Sequence, residues 1–286
     1  MKTPDGNIEG RFRGHDGLEL SEQTWRPRGA VKGVVAIVHG IGEHSGRYGY
    51  LVQRLTDSGL AVSALDNRGH GRSAGQRGHI ESWADYREDV HSFLRCVCGK
   101  FPGSPLFLYG HSLGALIVSD YVLFYPHGLD GLIVSGHPLQ PTGAVKPLLV
   151  LIARLLSRFR PKTSLGLGLN DEMISRDAEV VKAYRDDPLV HGKVTARWAT
   201  EALAAVDRVR ARAHEIRMPL LVLHGDADKI NSADGSRELL DLVSSVDKQL
   251  ILYPGGYHEP HNDLGRERMA LDVIEWINSR VHPSSH

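Results

Sequence analysis

The chain has 286 residues, with 34 Lys and Arg against 34 Asp and Glu, so its formal net charge is zero. Balanced charge argues against a nucleic-acid-binding protein, which usually carries a basic excess, and a hydrophobic content of 41% argues against a disordered chain. The length allows one large domain or two small ones, with enough buried core to need neither disulfides nor metals.

Short apolar runs separated by helical patterns predict the order of the elements. Residues 18–25 alternate apolar and polar side chains, which predicts a strand with one solvated face. The later runs are nearly continuous, as in parallel strands buried on both faces. They cover residues 34–38, 60–65, 106–109, 132–134, 220–223 and 249–253. Helices are predicted over residues 48–56, 83–100, 113–125, 233–243 and 266–280, with Ser82 as the N-cap of the second.

This alternation of strands and helices predicts an α/β fold with a mostly parallel sheet flanked by helices. It breaks between residues 137 and 217, a region rich in helical patterns and without a convincing strand. We therefore expect residues 1–136 and 218–286 to form the α/β core. Residues 137–217 should form a helical cap inserted over the carboxyl edge of the sheet, where open α/β sheets bind their ligands.

A Gly-x-Ser-x-Gly motif at residues 110–114 follows a predicted strand and precedes a predicted helix. In a nucleophile elbow, a sharp strand-to-helix turn holds the serine in a strained conformation. Glycines flank the serine because a Cβ there would collide with neighbouring backbone. Ser112 is therefore the predicted catalytic nucleophile, and the helix N-terminus beside it favours developing negative charge.

A serine nucleophile needs a base and a buried acid. His258 lies in a glycine-rich loop directly after the last predicted strand, where it would reach the carboxyl edge of the sheet, so we expect it to be the base. Asp226 and Asp228 both follow an earlier strand. We prefer Asp228 as the acid, because the longer turn carries it further toward the His258 loop. Asp226 should then bond nearby backbone amides.

An oxyanion hole is expected from the glycine-rich segment at residues 38–44, which follows the first buried strand. Its glycines let backbone N–H groups converge on one point. The predicted donors are the N–H of Ile41 and the N–H of Leu113, the residue after the nucleophile. Their side chains have no predicted part in the reaction.

Together these motifs resemble those of the monoacylglycerol lipases, a family with the α/β-hydrolase fold. The resemblance runs from about residue 8 to the end of the chain. It is carried by residues 39–48 (HGIGEHSGRY), 66–73 (DNRGHGRS), 110–114 (GHSLG), 174–177 (ISRD) and 184–189 (YRDDPL). The resemblance implies an acid motif that ends at Asp228 and a base motif at Tyr257 and His258, in agreement with the choice made from the residues. The cap is the least conclusive part of the match.

The resemblance also implies that Glu43, Arg47 and His261 recognise a glycerol head group. A structural interpretation of the same residues stays open. Glu43 and Arg47 can form a salt bridge at the start of a helix, and His261 can stabilise the next loop.

Residues 145–159 form an apolar stretch with cationic edges, for which two interpretations stay open. The stretch is either a surface helix that docks on lipid with its cations toward anionic head groups, or a helix that packs its apolar face on the cap or core. It is far too short and too charged to span a membrane. The cations are Lys146, Arg154, Arg158, Arg160 and Lys162.

Other polar residues receive structural interpretations. Asp66, Arg68 and His70 are expected to brace loops beneath the site and not to react. His258 and His261 do not form a zinc-binding pair, because their spacing is one residue short and a proline breaks the helix that would carry both ligands. We predict no metal and no cofactor.

Cys96 and Cys98 lie two positions apart on a predicted helix, so they point to different sides and should not form a disulfide. The first residues contain no apolar core typical of a secretory signal. We therefore expect a cytoplasmic protein, whose membrane contact is peripheral if the cap docks on lipid.

We expect a serine hydrolase that cleaves monoacylglycerols to glycerol and free fatty acid through an acyl-enzyme intermediate. One alternative keeps the chemistry and changes the substrate, to that of a general carboxylesterase or a lysophospholipase. Another is a ligand-binding protein on the same scaffold, without turnover. The sequence leaves the acyl chain length, the glycerol isomer and the oligomeric state open.

Overall fold

The computed structural model of the protein describes residues 7–142 and 147–281. The described strands are β1 (Ile8–Arg13), β2 (Glu19–Trp25), β3 (Gly33–Val38), β4 (Leu60–Leu65), β5 (Leu106–His111), β6 (Gly131–Ser135), β7 (Ser164–Gly166), β8 (Lys193–Thr195), β9 (Leu220–Gly225) and β10 (Lys248–Tyr253). The described helices are α1 (Gly49–Asp57), α2 (Trp83–Lys100), α3 (Leu113–Val122), α4 (Pro147–Phe159), α5 (Ala178–Asp186), α6 (Ala196–Arg212), α7 (Ala233–Leu242) and α8 (Arg266–Asn278).

Eight strands form one sheet in the order β1-β2-β4-β3-β5-β6-β9-β10. All neighbours from β4 to β10 pair in parallel, while β1 and β2 add an antiparallel edge. Every residue of β3, β4, β5, β6 and β9 is buried, because helices cover both faces. The predicted α/β fold with a mostly parallel sheet is confirmed.

Two apolar clusters hold the helices on the sheet. One face packs on α2 and α3, through residues such as Phe93 and Leu116. The other face packs on α1 and α8, through Leu55 and Val273. Burial of one such side chain stabilises the fold by about 1.5–3 kcal/mol. The predicted cap of α2 is present, since Ser82 Oγ accepts from the amide of Ala84. The amide of Ser82 donates to Asp85 Oδ2 at 3.1 Å, as in a capping box.

Strand β2 has no solvated face, so the prediction of one solvated face for this strand is wrong. Its residues after the first are buried on both sides, and its polar side chains find partners inside the protein. Gln23 donates from Nε2 to Ser45 Oγ at 2.7 Å, Thr24 Oγ1 lies 2.9 Å from Ser63 Oγ, and Glu22 pairs with Lys100. Alternation in the sequence did not reveal these partners, which lie on distant segments.

The segment between β6 and β9 contains helices α4, α5 and α6. It also contains an antiparallel pair, β7 and β8, so the expectation of no strand there is wrong. Strands of three residues are too short to show a periodicity. This segment contacts the loops at the carboxyl ends of the central strands, since the amide of His191 donates to Gly42 O and that of Thr195 to Gly78 O, both at 2.9 Å.

The loop after β4 is braced as predicted. Asp66 accepts hydrogen bonds from the amide and hydroxyl of Ser45 at 2.8 and 2.6 Å and from the amide of Arg72 at 2.8 Å. Arg68 is held by Asp89, with N–O distances of 2.6 and 2.8 Å. These bonds order the loop beneath the site.

Cys96 and Cys98 are both free thiols, as predicted. Within residues 7–142 and 147–281, each helix falls short of the length and hydrophobicity that a bilayer crossing requires.

Candidate active site

Ser112 lies at the sharp turn between β5 and α3, with φ 51° and ψ −115°. Among the described residues it alone combines a side chain with a positive φ. Such strain costs about 1–3 kcal/mol and persists because the surroundings enforce it. A Cβ on Gly110 would lie 2.4 Å from Gly114 O, and one on Gly114 would lie 2.0 Å from Val38 O. The turn therefore requires both glycines of the motif.

The three predicted triad side chains meet at the carboxyl edge of the sheet. His258 Nε2 lies 2.9 Å from Ser112 Oγ, and His258 Nδ1 lies 2.7 Å from Asp228 Oδ2. Because a carboxylate only accepts, Nδ1 carries the hydrogen and Nε2 is free to accept the serine proton. The arrangement has the geometry of a nucleophile, a base and an orienting acid.

The two aspartates after β9 have different surroundings. Asp228 Oδ1 accepts from the amides of Ile230 and Asn231 at 2.7 and 3.1 Å, which leaves Oδ2 for His258. Asp226 Oδ1 accepts from the amide of Gly255 at 2.6 Å. Asp226 thus joins the turn after β9 to the loop after β10, as expected of a turn residue.

The electrostatics of the pair favour an ionised acid and a basic imidazole. Burial alone would raise the pKa of Asp228, but the charge of His258 and hydrogen bonds from His224 and His258 lower it below the usual range. Burial alone would lower the pKa of His258, but Asp228, with smaller contributions from Glu259 and Glu43, raises it above its ordinary value. The imidazolium that forms during proton transfer is thereby stabilised.

The predicted oxyanion donors belong to two residues that line the same cavity as Ser112. The N–H groups of Ile41 and Leu113 make no hydrogen bond to another described residue, and both residues line the cavity above the serine. The neighbouring amide of Gly40 is not free, because it donates to Glu43 Oε1 at 2.7 Å. Glu43 therefore occupies the amide of Gly40, while the amide of Ile41 stays available for the predicted contact with an oxyanion.

A cavity of about 720 Å³ opens from Ser112 toward the segment between β6 and β9. Most of its wall is apolar, with Leu116 from the core and Leu156, Trp198 and Val206 from helices α4 and α6. Among the described lining residues the charged side chains are Glu43 and Glu259, and no Lys or Arg lines it.

Glu43, Arg47 and His261 lie close together, but only Glu43 of these three lines the cavity. Arg47 donates to Glu43 Oε2 at 2.8 Å and stacks its guanidinium over the ring of Tyr184 from α5, 4.6 Å from the centroid. His261 is buried and stacks on Tyr48 at 4.5 Å between centroids. Contact of all three residues with a glycerol head group stays a prediction.

Comparison with known proteins identifies the family. The family described as "Serine aminopeptidase, S33" matches residues 29–265. The monoacylglycerol lipase of Mycolicibacterium smegmatis is 38% identical over 274 residues, which cover 96% of this chain and 98% of that protein. The chain belongs to the monoacylglycerol lipase family. It is a carboxylic ester hydrolase with the α/β-hydrolase fold, and the resemblance inferred from its motifs is confirmed.

Two further members of the family extend the comparison. The human monoglyceride lipase is 32% identical over 270 residues, which cover 93% of this chain and 89% of that protein. The crystal structure of the Paleococcus ferrophilus monoacylglycerol lipase superposes with a TM-score of 0.85 at 34% identity, covering 92% of this chain and all of that one. The family relationship therefore extends over nearly the whole length of the chain.

The structure adds residues to the site that the sequence analysis missed. Glu259 bonds Arg47 through both carboxylate oxygens at 2.7 Å. His224, at the end of β9, bonds Asp228 Oδ2 at 3.0 Å. The position of Glu259 directly after the base was a usable signal. The contact of His224 with Asp228 depends on how the chain packs, and nothing in the sequence around His224 indicates it.

Proposed function

We propose that the enzyme hydrolyses monoacylglycerols to glycerol and fatty acid, with Ser112 as nucleophile, His258 as base and Asp228 as orienting acid. The row of hydrogen bonds from Ser112 through His258 to Asp228, open to a large apolar cavity, carries this proposal. The relatives that bear the name monoacylglycerol or monoglyceride lipase support the choice of substrate.

The first half-reaction forms the acyl-enzyme. Ser112 Oγ attacks the ester carbonyl carbon while its proton passes to His258 Nε2. The N–H groups of Ile41 and Leu113 stabilise the oxyanion, and loss of one such donor typically costs about 3 kcal/mol of transition-state stabilisation. As the tetrahedral intermediate collapses, the C–O bond breaks and His258 gives its proton to the departing glycerol oxygen.

The second half-reaction regenerates the enzyme. A water molecule attacks the acyl carbon while His258 accepts its proton, and a second tetrahedral intermediate forms. When this intermediate collapses, the proton returns to Ser112 Oγ and the fatty acid leaves. Asp228 stays ionised throughout and stabilises the imidazolium in both steps.

The cavity favours a substrate with one long apolar chain and an uncharged head. Leucine, valine and tryptophan side chains suit an acyl chain. Near the triad, the carboxyl groups of Glu43 and Glu259 share one buried guanidinium, that of Arg47. Burial alone would raise the pKa of Glu259, but Arg47 lowers it, so Glu259 stays ionised, whereas burial raises the pKa of Glu43. An anionic head group would meet these two acidic side chains with no Lys or Arg among the described lining residues to offset them. A neutral glycerol can instead hydrogen-bond to them.

The same proposal includes a cap, residues 137–217, that is distinct from the core and touches lipid. Helix α4 exposes a row of large apolar side chains, Leu148, Leu149, Leu151, Ile152, Leu155 and Phe159. Leu149 and Ile152 also line the cavity, so the exposed row is continuous with its wall. Arg154, Arg158 and Arg160 can face anionic head groups. Val145 and Lys146 lie outside the described residues.

Replacement of the nucleophile tests the reaction. Ser112→Ala should fold normally and lose at least about a thousandfold in kcat on monoolein. Ser279→Ala, at the exposed end of α8, is the matched control and should keep full activity. Monoolein hydrolysis that survives in a folded Ser112→Ala variant would overturn the proposal. Faster turnover of lysophosphatidylcholine than of monoolein at equal chain length would reassign the substrate.

Vesicle binding tests the lipid contact. Leu148→Ser combined with Leu151→Ser should weaken sedimentation with vesicles of phosphatidylglycerol and phosphatidylcholine, because neither residue lines the cavity and both are exposed. Hydrolysis of a soluble short-chain ester should be unchanged. Val246→Ser removes an exposed apolar side chain far along the chain from α4 and should bind vesicles like the wild type. Equal binding by all three proteins would refute the contact.

A further inference from the structure

A second histidine lies against the acid of the triad. His224 is the penultimate residue of β9, and its side chain is completely buried. Its Nε2 lies 3.0 Å from Asp228 Oδ2 and 3.1 Å from Asn231 O, and its Nδ1 lies 2.6 Å from Ser236 Oγ in α7. One imidazole thus joins the end of a central strand, the loop that carries the acid, and the following helix.

The neighbours of His224 determine where its hydrogen lies. Both groups near Nε2, the carboxylate of Asp228 and the carbonyl of Asn231, can only accept hydrogen bonds. Nε2 must therefore carry a hydrogen, whether the ring is neutral or charged. The hydroxyl of Ser236 can donate or accept, so it fits either state of Nδ1. In either protonation state, the ring consequently shares its Nε2 hydrogen between Asp228 Oδ2 and Asn231 O.

Two imidazoles consequently share one carboxylate oxygen. Asp228 Oδ2 accepts from Nε2 of His224 and from Nδ1 of His258, at 3.0 and 2.7 Å. The other oxygen, Oδ1, accepts from the amides of Ile230 and Asn231. Four donors in a buried site fix the plane of the carboxylate. Without His224, Oδ2 would keep only the donor that must move during catalysis.

We propose that His224 is a positioning residue, which holds the Asp228 carboxylate in the orientation that it needs to bond and support His258. This inference rests on the proposed function, since it presumes that Asp228 orients the base. His224 does not touch the substrate, because it is absent from the described residues that line the cavity. It acts on the reaction through Asp228.

The N–H of His224 points its positive end at Asp228, so its removal should change the pH profile of the enzyme. Loss of this donor leaves more of the carboxylate charge to stabilise the imidazolium of His258, so the acid limb of the kcat/KM profile should move to higher pH. The other titratable groups that face these side chains are Glu43, His111, His137, Glu259 and His261. They are unchanged by substitution of His224.

Two amide variants separate the hydrogen bonds of the ring. The amide of His224→Gln reaches the position of Nε2 and can still donate to Asp228. The shorter amide of His224→Asn reaches the position of Nδ1 and can bond only Ser236. Both variants remove the ring, so a purely structural function would be lost equally in the two.

With monoolein as substrate, His224→Asn should lose about ten- to hundredfold in kcat with little change in KM. Its acid limb should rise by about half a pH unit. The kcat of His224→Gln should stay within about threefold of the wild-type value, and the acid limb of its kcat/KM profile should not move. A folded Asn variant with wild-type kcat and pH profile, or a Gln variant as impaired as the Asn variant, would overturn the inference. If Ser112→Ala is inactive in the same assay, either of these outcomes would contradict only the function of His224 and not the proposed function of the enzyme.

Proton NMR of the wild-type enzyme labelled with ¹⁵N-histidine tests the geometry without any variant. Imidazole hydrogens bonded to a buried carboxylate resonate far downfield of the backbone amides. Two signals are expected from hydrogens bonded to Asp228, on Nδ1 of His258 and Nε2 of His224, and both should move in Asp228→Asn. A signal from His44, which lies 2.9 Å from Asp187, should not move. A signal from His258 alone would contradict the shared carboxylate oxygen.

Discussion

Arg47 and Glu259 form a buried, bidentate ion pair across 212 positions of sequence, with both N–O distances at 2.7 Å. The pair joins the helical turn at Ser45–Tyr48 to the residue beside the proposed base, His258. This turn follows residues 38–44, the proposed oxyanion loop. Through Glu43, which bonds both Arg47 and the amide of Gly40, the connection reaches the oxyanion loop itself. Two loops that must keep a fixed distance during catalysis are thus connected by charge-assisted hydrogen bonds.

Removal of the guanidinium that Glu43 and Glu259 share should destabilise the fold. Arg47→Met leaves two buried carboxylates without their partner, which should lower the free energy of unfolding by about 3–5 kcal/mol. Urea denaturation measures the change. Lys182→Met breaks an exposed pair with Asp186 and should leave the free energy of unfolding nearly unchanged. Equal effects of the two substitutions would show that the buried pair contributes no more than a surface pair.

The two aspartates after β9 should differ sharply in their effect on the rate. Asp228→Asn replaces the acceptor of the His258 Nδ1 hydrogen with an amide that permits the wrong tautomer, so kcat on monoolein should fall by about three to four orders of magnitude. Asp226→Asn keeps an oxygen for the amide of Gly255 and should retain activity within about tenfold. Steady-state kinetics would contradict the assignment if Asp226→Asn were the more damaging change.

The pH profile should follow His258. The base acts only when it is neutral, and the negative neighbours of His258 raise its pKa above the ordinary value. Activity should therefore be lost as pH falls through this raised pKa, and the acid limb of kcat/KM should lie above the pH at which a free histidine titrates. Asp228→Asn removes the main cause, so its residual activity should show an acid limb at lower pH. A limb that does not move would exclude His258 as the titrating group.

Charge near the triad should select against anionic head groups. At equal acyl chain length, lysophosphatidic acid should be hydrolysed with a kcat/KM at least about a hundredfold below that of the monoacylglycerol, because like charges in a buried site cost several kcal/mol. Glu259→Gln removes one of the two carboxyl groups that line the cavity and should narrow the ratio of the two kcat/KM values. Since the site is buried, added salt should change the ratio little. Comparable rates for both lipids in the wild type would contradict this selectivity.

The sequence by itself determined the order of the central strands and helices along the chain, and it marked Ser112, Asp228 and His258 as candidates. These features depend on neighbours within a few residues: apolar periodicity, an N-cap at Ser82, and glycines that allow a sharp turn after a strand. Such requirements involve only residues that are close in sequence, so they can be recognised without the tertiary structure.

Only the tertiary structure decided which distant groups meet. It buried the polar side chains of β2, paired the short strands β7 and β8, and brought Glu259 to Arg47 and His224 to Asp228. Each of these contacts depends on the order of strands in the sheet and on the path of long loops. A buried polar group needs a hydrogen-bond partner, but the residues next to it in sequence do not indicate which distant residue is that partner.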